Sequence, residues 1–185
     1  MATAAPHQRM TLAEFLEWDD GTDARYELVR GRITATAPPR GRHSRIVGNL
    51  ARLIGNHLKR PCGVYAEAGI ALPERDDTRY HADLAVSCAP LDEDPGYVPE
   101  PVFIAEVLSP STAAHDRWTK LADYRRLPSV REVLLICSRE RHVELWRRDA
   151  GGRWTVEDLI GETELRLEVV DVAVPLAAVY ENVAV

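Results

Sequence analysis

Lysine is almost missing from this chain: of its 23 basic residues 21 are arginine, which leaves Lys59 and Lys120 alone. Arginine keeps its charge in any protein setting, so chemistry that needs a compact or titratable cation falls to one of those two lysines. Cysteine is scarce too. Cys62, Cys88 and Cys137 form no CxxC pair and leave an odd one over. That count argues against a disulfide framework or a cysteine zinc site, and for a reducing, cytoplasmic setting. The first ten residues, MATAAPHQRM, hold no apolar signal core, and the longest apolar run, Val172 to Tyr180, is interrupted by Pro175, so no membrane association is expected. Surplus positive charge is also lacking. A net charge of −6 and a pI near 5.5 argue against a protein that coats nucleic acid by bulk electrostatics, though not against one with a local basic surface. His7, His57, His81, His115 and His142 have no HxxxH or HExxH spacing, which removes a zinc protease from consideration.

What is present suits one domain of 1–185: 185 residues, 45% hydrophobic and 28% charged, with no internal repeat. Charge is unevenly spread. Residues 1–66 carry ten basic and six acidic groups, whereas residues 67–110 carry two and ten. Thr11 and Glu14 have capping-box spacing ahead of a first helix, and 25–29 with 32–37 read as a hairpin turned at Arg30-Gly31. From His43 to Lys59 the apolar positions Ile46, Val47, Leu50, Leu53, Ile54 and Leu58 keep helical spacing. Strand-like runs follow at 64–72, 82–87 and 102–108, then a helix over 113–127 stopped by Pro128, then a strand at 130–137. The expected core, about 43–137, is therefore helix, three strands, helix, strand: an α/β fold with a mixed sheet flanked by helices. Further strands at 142–147, 154–159 and 164–170 and a short helix over 176–181 complete the chain.

Charged residues inside buried strands are costly unless paired or metal-bound, which singles out Asp83 and Glu106. If strands 82–87 and 102–108 pair antiparallel, the two carboxylates converge. Each has a bland reading, a turn-bonded strand residue for Asp83 and half an ion pair for Glu106. Jointly they favour a cation, because two neighbouring acids repel unless a metal or a proton lies between them. Oxygen ligands of this kind suit Mg²⁺, with Mn²⁺ able to substitute. Lys120 follows on the next helix, with Asp116 and Tyr124 a turn away on either side; a surface pair with Asp116 is the plain alternative. Lys59, at the end of the long helix, reads as a partner for the helix dipole.

The segments YELVRGRI (26–33), His43, HADLAV (81–86), FIAEVLSPST (103–112) and the trio Asp116, Lys120 and Tyr124 resemble the Uma-two family of the PD-(D/E)xK restriction-endonuclease superfamily, over about Thr11 to Trp146. The resemblance implies a restriction-endonuclease-like fold. It makes Asp83 and Glu106 the metal-binding acids, the Val107 carbonyl a further ligand, and Lys120 the catalytic lysine. Two positions depart from the pattern: Ala82 stands where a proline usually precedes the acid, and Leu108 stands where a lysine usually follows Glu106 by two residues. Lys120 is then the substitute ammonium. Glu27 and His43 also fall on recurring family positions, Glu27 as a third acid and His43 as a contact to phosphate; their alternatives are a solvent-facing strand residue and a structural histidine.

The function expected from these residues is metal-dependent hydrolysis of DNA phosphodiesters, in which Lys120 orients or deprotonates the attacking water. Arg40, Arg42, His43 and Arg45, around the start of the long helix, are the expected nucleic-acid contacts. Two other readings stay open: an inactive binding module on the same fold, and a dimeric interaction domain that meets no nucleic acid. A homodimer suits cutting both strands of a duplex.

Overall fold

The capping box forms as its spacing predicts. In the computed structural model, which describes residues 9–90, 95–110 and 113–185, Thr11 Oγ1 accepts from the Glu14 amide while Glu14 Oε2 accepts from the Thr11 amide at 2.8 Å, starting α1 (Leu12–Glu17). The hairpin follows as β1 (Arg25–Val29) and β2 (Arg32–Thr36), turned at Arg30-Gly31, where both residues have positive φ. The long helix α2 (Gly41–Gly55) buries Ile46, Leu50, Leu53 and Ile54 on one side, each such side chain contributing roughly 1.5–3 kcal/mol. It ends before Lys59. The basic group in its last turn is Arg52, so Lys59 is not the dipole partner its sequence position suggested.

The strands are β3 (Gly63–Leu72), β4 (Arg75–Ser87), β5 (Pro101–Leu108), β6 (Glu132–Cys137), β7 (His142–Arg148) and β8 (Trp154–Ile160). β4 begins seven residues before the expected start, because its first half alternates Arg, Asp and His with Thr78 and Tyr80, and only the latter face the core. One sheet takes the order β2-β1-β4-β5-β6-β7-β8, with β3 also paired to β4. Every pairing is antiparallel except β5 with β6. A parallel pair needs a crossover, and the helical stretch 113–124 supplies it. That stretch is α3 (Ala113–His115), a π-helical turn (Asp116–Lys120) and α4 (Leu121–Tyr124), so it ends three residues short of the expected Leu127. Beyond β8, the single strand expected over 164–170 is β9 (Glu164–Leu167) and a 3₁₀ turn; β9 pairs with a further strand, β10 (Val172–Pro175), ahead of α5 (Leu176–Val179). Asp171 in the left-handed region makes the turn between them.

Two apolar layers sandwich the sheet. One packs α2, α5 and the β9–β10 pair against Leu84, Val86, Phe103, Ala105 and Val107. The other packs Leu121, Tyr124 and Leu127 against Tyr80, Ala82, Ala85, Ile104 and Leu108. Val102 packs with the first layer alongside Phe103, next to the irregular step where Ser87 meets Pro101.

On β4 strand alternation breaks at Asp83. Tyr80 and Ala82 share a layer with Ala85, while Leu84 and Val86 belong to the opposite one, so the facing of β4 reverses around Asp83. Its partner β3 reverses at the same level, with Tyr65 and Ala68 in one layer and Val64 in the other. The step between them is Glu67, held at φ 55°, and the ladder from Gly63–Ser87 to Ala71–Arg79 skips only Glu67–Asp83. A non-glycine residue in that region costs about 1–3 kcal/mol and is found where geometry is re-aimed for a purpose.

Cys62 and Cys88 are joined as a disulfide, which links the segment after α2 to the end of β4 and leaves Cys137 as the free thiol. This corrects the expectation of no disulfide: the missing CxxC spacing says nothing about cysteines 26 residues apart that strand pairing brings together. No helix among the described residues is long and apolar enough to cross a membrane.

Candidate functional site

Asp83 and Glu106 meet as the antiparallel reading requires. Leu84 lies opposite Ala105 and Ala85 opposite Ile104, which carries Asp83 to the position across from Glu106. The Val107 amide donates to Asp83 Oδ2 at 2.6 Å, and His43 Nε2, from the first turn of α2, lies 3.0 Å from the same oxygen. Glu106 is 3% exposed, and its Oε1 accepts from the Tyr124 hydroxyl at 2.6 Å and from Lys120 Nζ at 3.3 Å. One oxygen of each acid is thus held by protein donors, and no donor among the described residues reaches the other.

Lys120 points inward. Its ammonium, 7% exposed, lies 2.8 Å from Glu27 Oε1, 2.8 Å from the His81 carbonyl, 3.3 Å from Glu106 and 3.6 Å from Asp116 Oδ1. Asp116 is buried as well, so the surface-pair reading of these two residues is excluded. Glu27 is not a solvent-facing strand residue either. It is 2% exposed and also accepts from the His81 amide at 2.9 Å, with His115 Nε2 at 3.6 Å from its second oxygen.

The π turn helps to set this arrangement. The Leu121 amide donates to the Asp116 carbonyl, five residues back, so the turn is wider than an α-turn and its buried groups are Asp116 and Lys120 while Trp118 is 78% exposed. Arg117, between them, reaches the other way to Glu144 on β7.

The electrostatics follow from crowding three carboxylates around one ammonium, with Asp83 close by. Burial works against ionised Glu27, but the bonds from His115, Lys120 and the His81 amide outweigh it and hold the carboxyl at about 2. Glu106 moves the other way. Burial is the main cause, opposed by Lys120 and reinforced by the nearby Asp83 and Asp116, and its pKa stands well above the ordinary carboxylate range. Burial alone would strip Lys120 of its proton, yet the charges of Glu106, Glu27 and Asp116 prevail and raise its pKa. Lys120 is therefore a fixed cation. Burial likewise opposes a charge on His43, and its bond to Asp83 overcomes this, raising its pKa. His81, pressed by burial and by Arg79, falls to about 4 and is neutral at pH 7.

These groups line one cleft of about 1180 Å³ between the hairpin, the start of α2 and the π turn. Val107, Arg40, Arg42 and His43 line it too, whereas Arg45 does not. Arg139, in the turn between β6 and β7, carries no periodic or motif signal in the sequence and was not expected here; it joins the cleft beside Ser138, whose carbonyl accepts from Arg42 at 3.4 Å. Arg40, Arg42 and Arg139 have no carboxylate partner among the described residues, while Arg25 in the same cleft is paired with Glu67. Acids and ammonium make the floor, and guanidinium groups without a described carboxylate partner the rim.

No three His, Cys, Asp or Glu side chains among the described residues are arranged to cage an ion by themselves. The oxygens of Asp83 and Glu106 that no described donor reaches are a donor set that fits Mg²⁺, which is held by one or two carboxylates and completed by water and substrate oxygens.

The chain is 26% identical over 183 residues to the uncharacterized protein slr1290 of Synechocystis sp., covering 98% of this chain and 96% of that one. It is 28% identical over 170 residues to sll1609 of the same organism, at 88% and 94% coverage. Its fold matches a crystal structure from Anabaena variabilis titled "putative nuclease belonging to DUF820", with a TM-score of 0.75, 18% identity, and coverage of 93% of this chain and 98% of that one. The Uma2 family model, described as "Putative restriction endonuclease", matches residues 12–177. Nearly the whole chain is spanned by that match, the cleft and all its acids included, and the chain belongs to the Uma2 family.

Proposed function

We propose that this chain is a Mg²⁺-dependent endonuclease that hydrolyses phosphodiester bonds of DNA, with Mn²⁺ able to replace Mg²⁺. The observation that carries the reading is the buried Lys120 ammonium, held between Glu27, Glu106 and Asp116 in the cleft that Asp83 also lines. An ammonium is retained there at a large desolvation cost, and a position beside two candidate metal acids gives that cost a use.

In this reading Asp83 and Glu106 hold the ion through the oxygens that protein donors leave unoccupied, with the Val107 carbonyl as a further ligand. The chemistry such an ion supplies when bound is Lewis acidity toward a phosphoryl oxygen and a lowered pKa for a water. Lys120 orients the attacking water and offsets the charge that develops on phosphorus-bound oxygens. Its carboxylate neighbours raise its pKa, which favours the orienting role over that of a base. Glu27 fixes the ammonium in place. Arg40, Arg42 and His43 contact the phosphate chain, and Arg139 joins them. The family description and the nuclease-like fold support the reaction class; the salt-bridged lysine replaces the one missing at Leu108 and weighs against an inactive module. A two-fold pair of chains suits cleavage of both strands.

The test is supercoiled plasmid incubated with Mg²⁺ or Mn²⁺. Nicking or linearisation by the wild type, lost on chelation and in Glu106→Ala, is expected. Intact plasmid under both cations, with binding retained, sinks the enzyme reading.

A further inference from the structure

Tyr124 is a fully buried phenol that the proposed reaction does not use. Its hydroxyl donates to Glu106 Oε1 at 2.6 Å, the shortest polar contact that Glu106 makes to a side chain. The ring is fixed from the other side: it stands edge-on to Tyr80 at 5.8 Å between centroids, and the Tyr80 hydroxyl donates to buried Asp123 Oδ2 at 2.6 Å. Two neighbouring tyrosines thus make equally short bonds from equally buried positions, but to different carboxylates. Lys120, one turn before Tyr124, reaches the same Oε1 of Glu106. The two donors converge on one oxygen and leave the second for a ligand.

We infer that Tyr124 is a positioning residue that presents Glu106 to a divalent cation through a single oxygen. This rests on the reading that Glu106 holds a metal. A carboxylate held only by the longer 3.3 Å contact to Lys120 can still rotate or chelate through two oxygens. With Oε1 tied to the phenol, its orientation is set before any ion arrives, which is how partners bonded to metal ligands govern affinity. A phenylalanine at 124 keeps the ring packing and removes only the bond to Glu106.

The experiment compares metal-free wild type, Tyr124→Phe and Tyr80→Phe by titration with Mn²⁺, read by electron paramagnetic resonance of the free ion, with thermal unfolding measured alongside. Tyr124→Phe is expected to weaken Mn²⁺ binding by about tenfold to a hundredfold. Tyr80→Phe, equally buried but bonded to Asp123, is expected to stay within about twofold of wild type while losing comparable stability. A Tyr124→Phe affinity within twofold of wild type, or an equal weakening in Tyr80→Phe, overturns the inference and leaves the metal reading standing. Wild type that binds no Mn²⁺ overturns both. A second measurement holds even if the variant fails to fold: in wild type labelled at the tyrosine ring carbon bearing oxygen, the Tyr124 resonance is expected to shift on saturation with Mg²⁺ while that of Tyr80 stays in place. A Tyr124 signal unmoved at saturation overturns the inference.

Discussion

Lys120 Nζ lies 2.8 Å from Glu27 Oε1, so one ammonium on the crossover helix ties the N-terminal hairpin to the centre of the sheet. Both side chains are almost fully buried, and each helps the other to stay charged. Replacing Lys120 by methionine keeps much of the volume but leaves Glu27, Glu106 and Asp116 without their cation. The loss is expected to be about 3–5 kcal/mol in urea unfolding, together with loss of plasmid cleavage. Lys120→Arg keeps the charge. It should recover part of the stability without recovering cleavage, since a planar fork does not reproduce a point charge at that spot.

Glu27 gives a pH dependence whose sign is fixed by its depressed pKa. Its carboxyl ionises at about 2 in the folded chain against an ordinary 4.5. Its contribution is present above about 4.5 and is lost as pH falls toward 2. The size is on the order of 3 kcal/mol, because each tenfold change in a proton-binding constant is worth about 1.4 kcal/mol. Unfolding curves collected from pH 6 to pH 2.5 should steepen in this window for wild type and flatten for Glu27→Gln. Equal slopes for the two proteins would remove Glu27 from the account.

The rim arginines are separable by salt. Each phosphate contact removed should lower the slope of log affinity against log salt concentration by about 1. Arg42→Ala and Arg139→Ala, assayed for duplex binding with the metal chelated, are expected to show that loss. Arg45→Ala is the internal comparison, because Arg45 does not line the cleft. If Arg45→Ala changes the slope as much as Arg139→Ala, nucleic acid crosses a different surface.

Much of this site is legible in the sequence, for reasons specific to particular residues. Asp83 and Glu106 stand out because charge inside apolar strands is expensive, and antiparallel pairing of β4 and β5 does the rest. Glu27 cannot be placed from Tyr26-Glu27-Leu28 alone, since strand alternation does not say which face is covered. The inward turn of Lys120 is also out of reach: helical periodicity assumes an α-turn, and the chain winds a wider one over Asp116–Lys120. Arg139 lies in a turn, where no period exists to read. The bond between Cys62 and Cys88 depends on β3 and β4 lying side by side, with Gly63 opposite Ser87, and local spacing carries none of that.

The reversal of β3 and β4 at Glu67 and Asp83 has a bearing on how this fold tolerates change. Upstream of Asp83 the strand is gripped by the layer under Tyr124; downstream, its apolar residues divide between that layer and the one under α2. Asp83 stands at the seam, belonging wholly to neither. Leu50→Ala and Leu121→Ala each empty part of one layer, at a cost of about 2–5 kcal/mol. Because Asp83 sits where the two layers divide β4, either change is expected to alter where its carboxylate points.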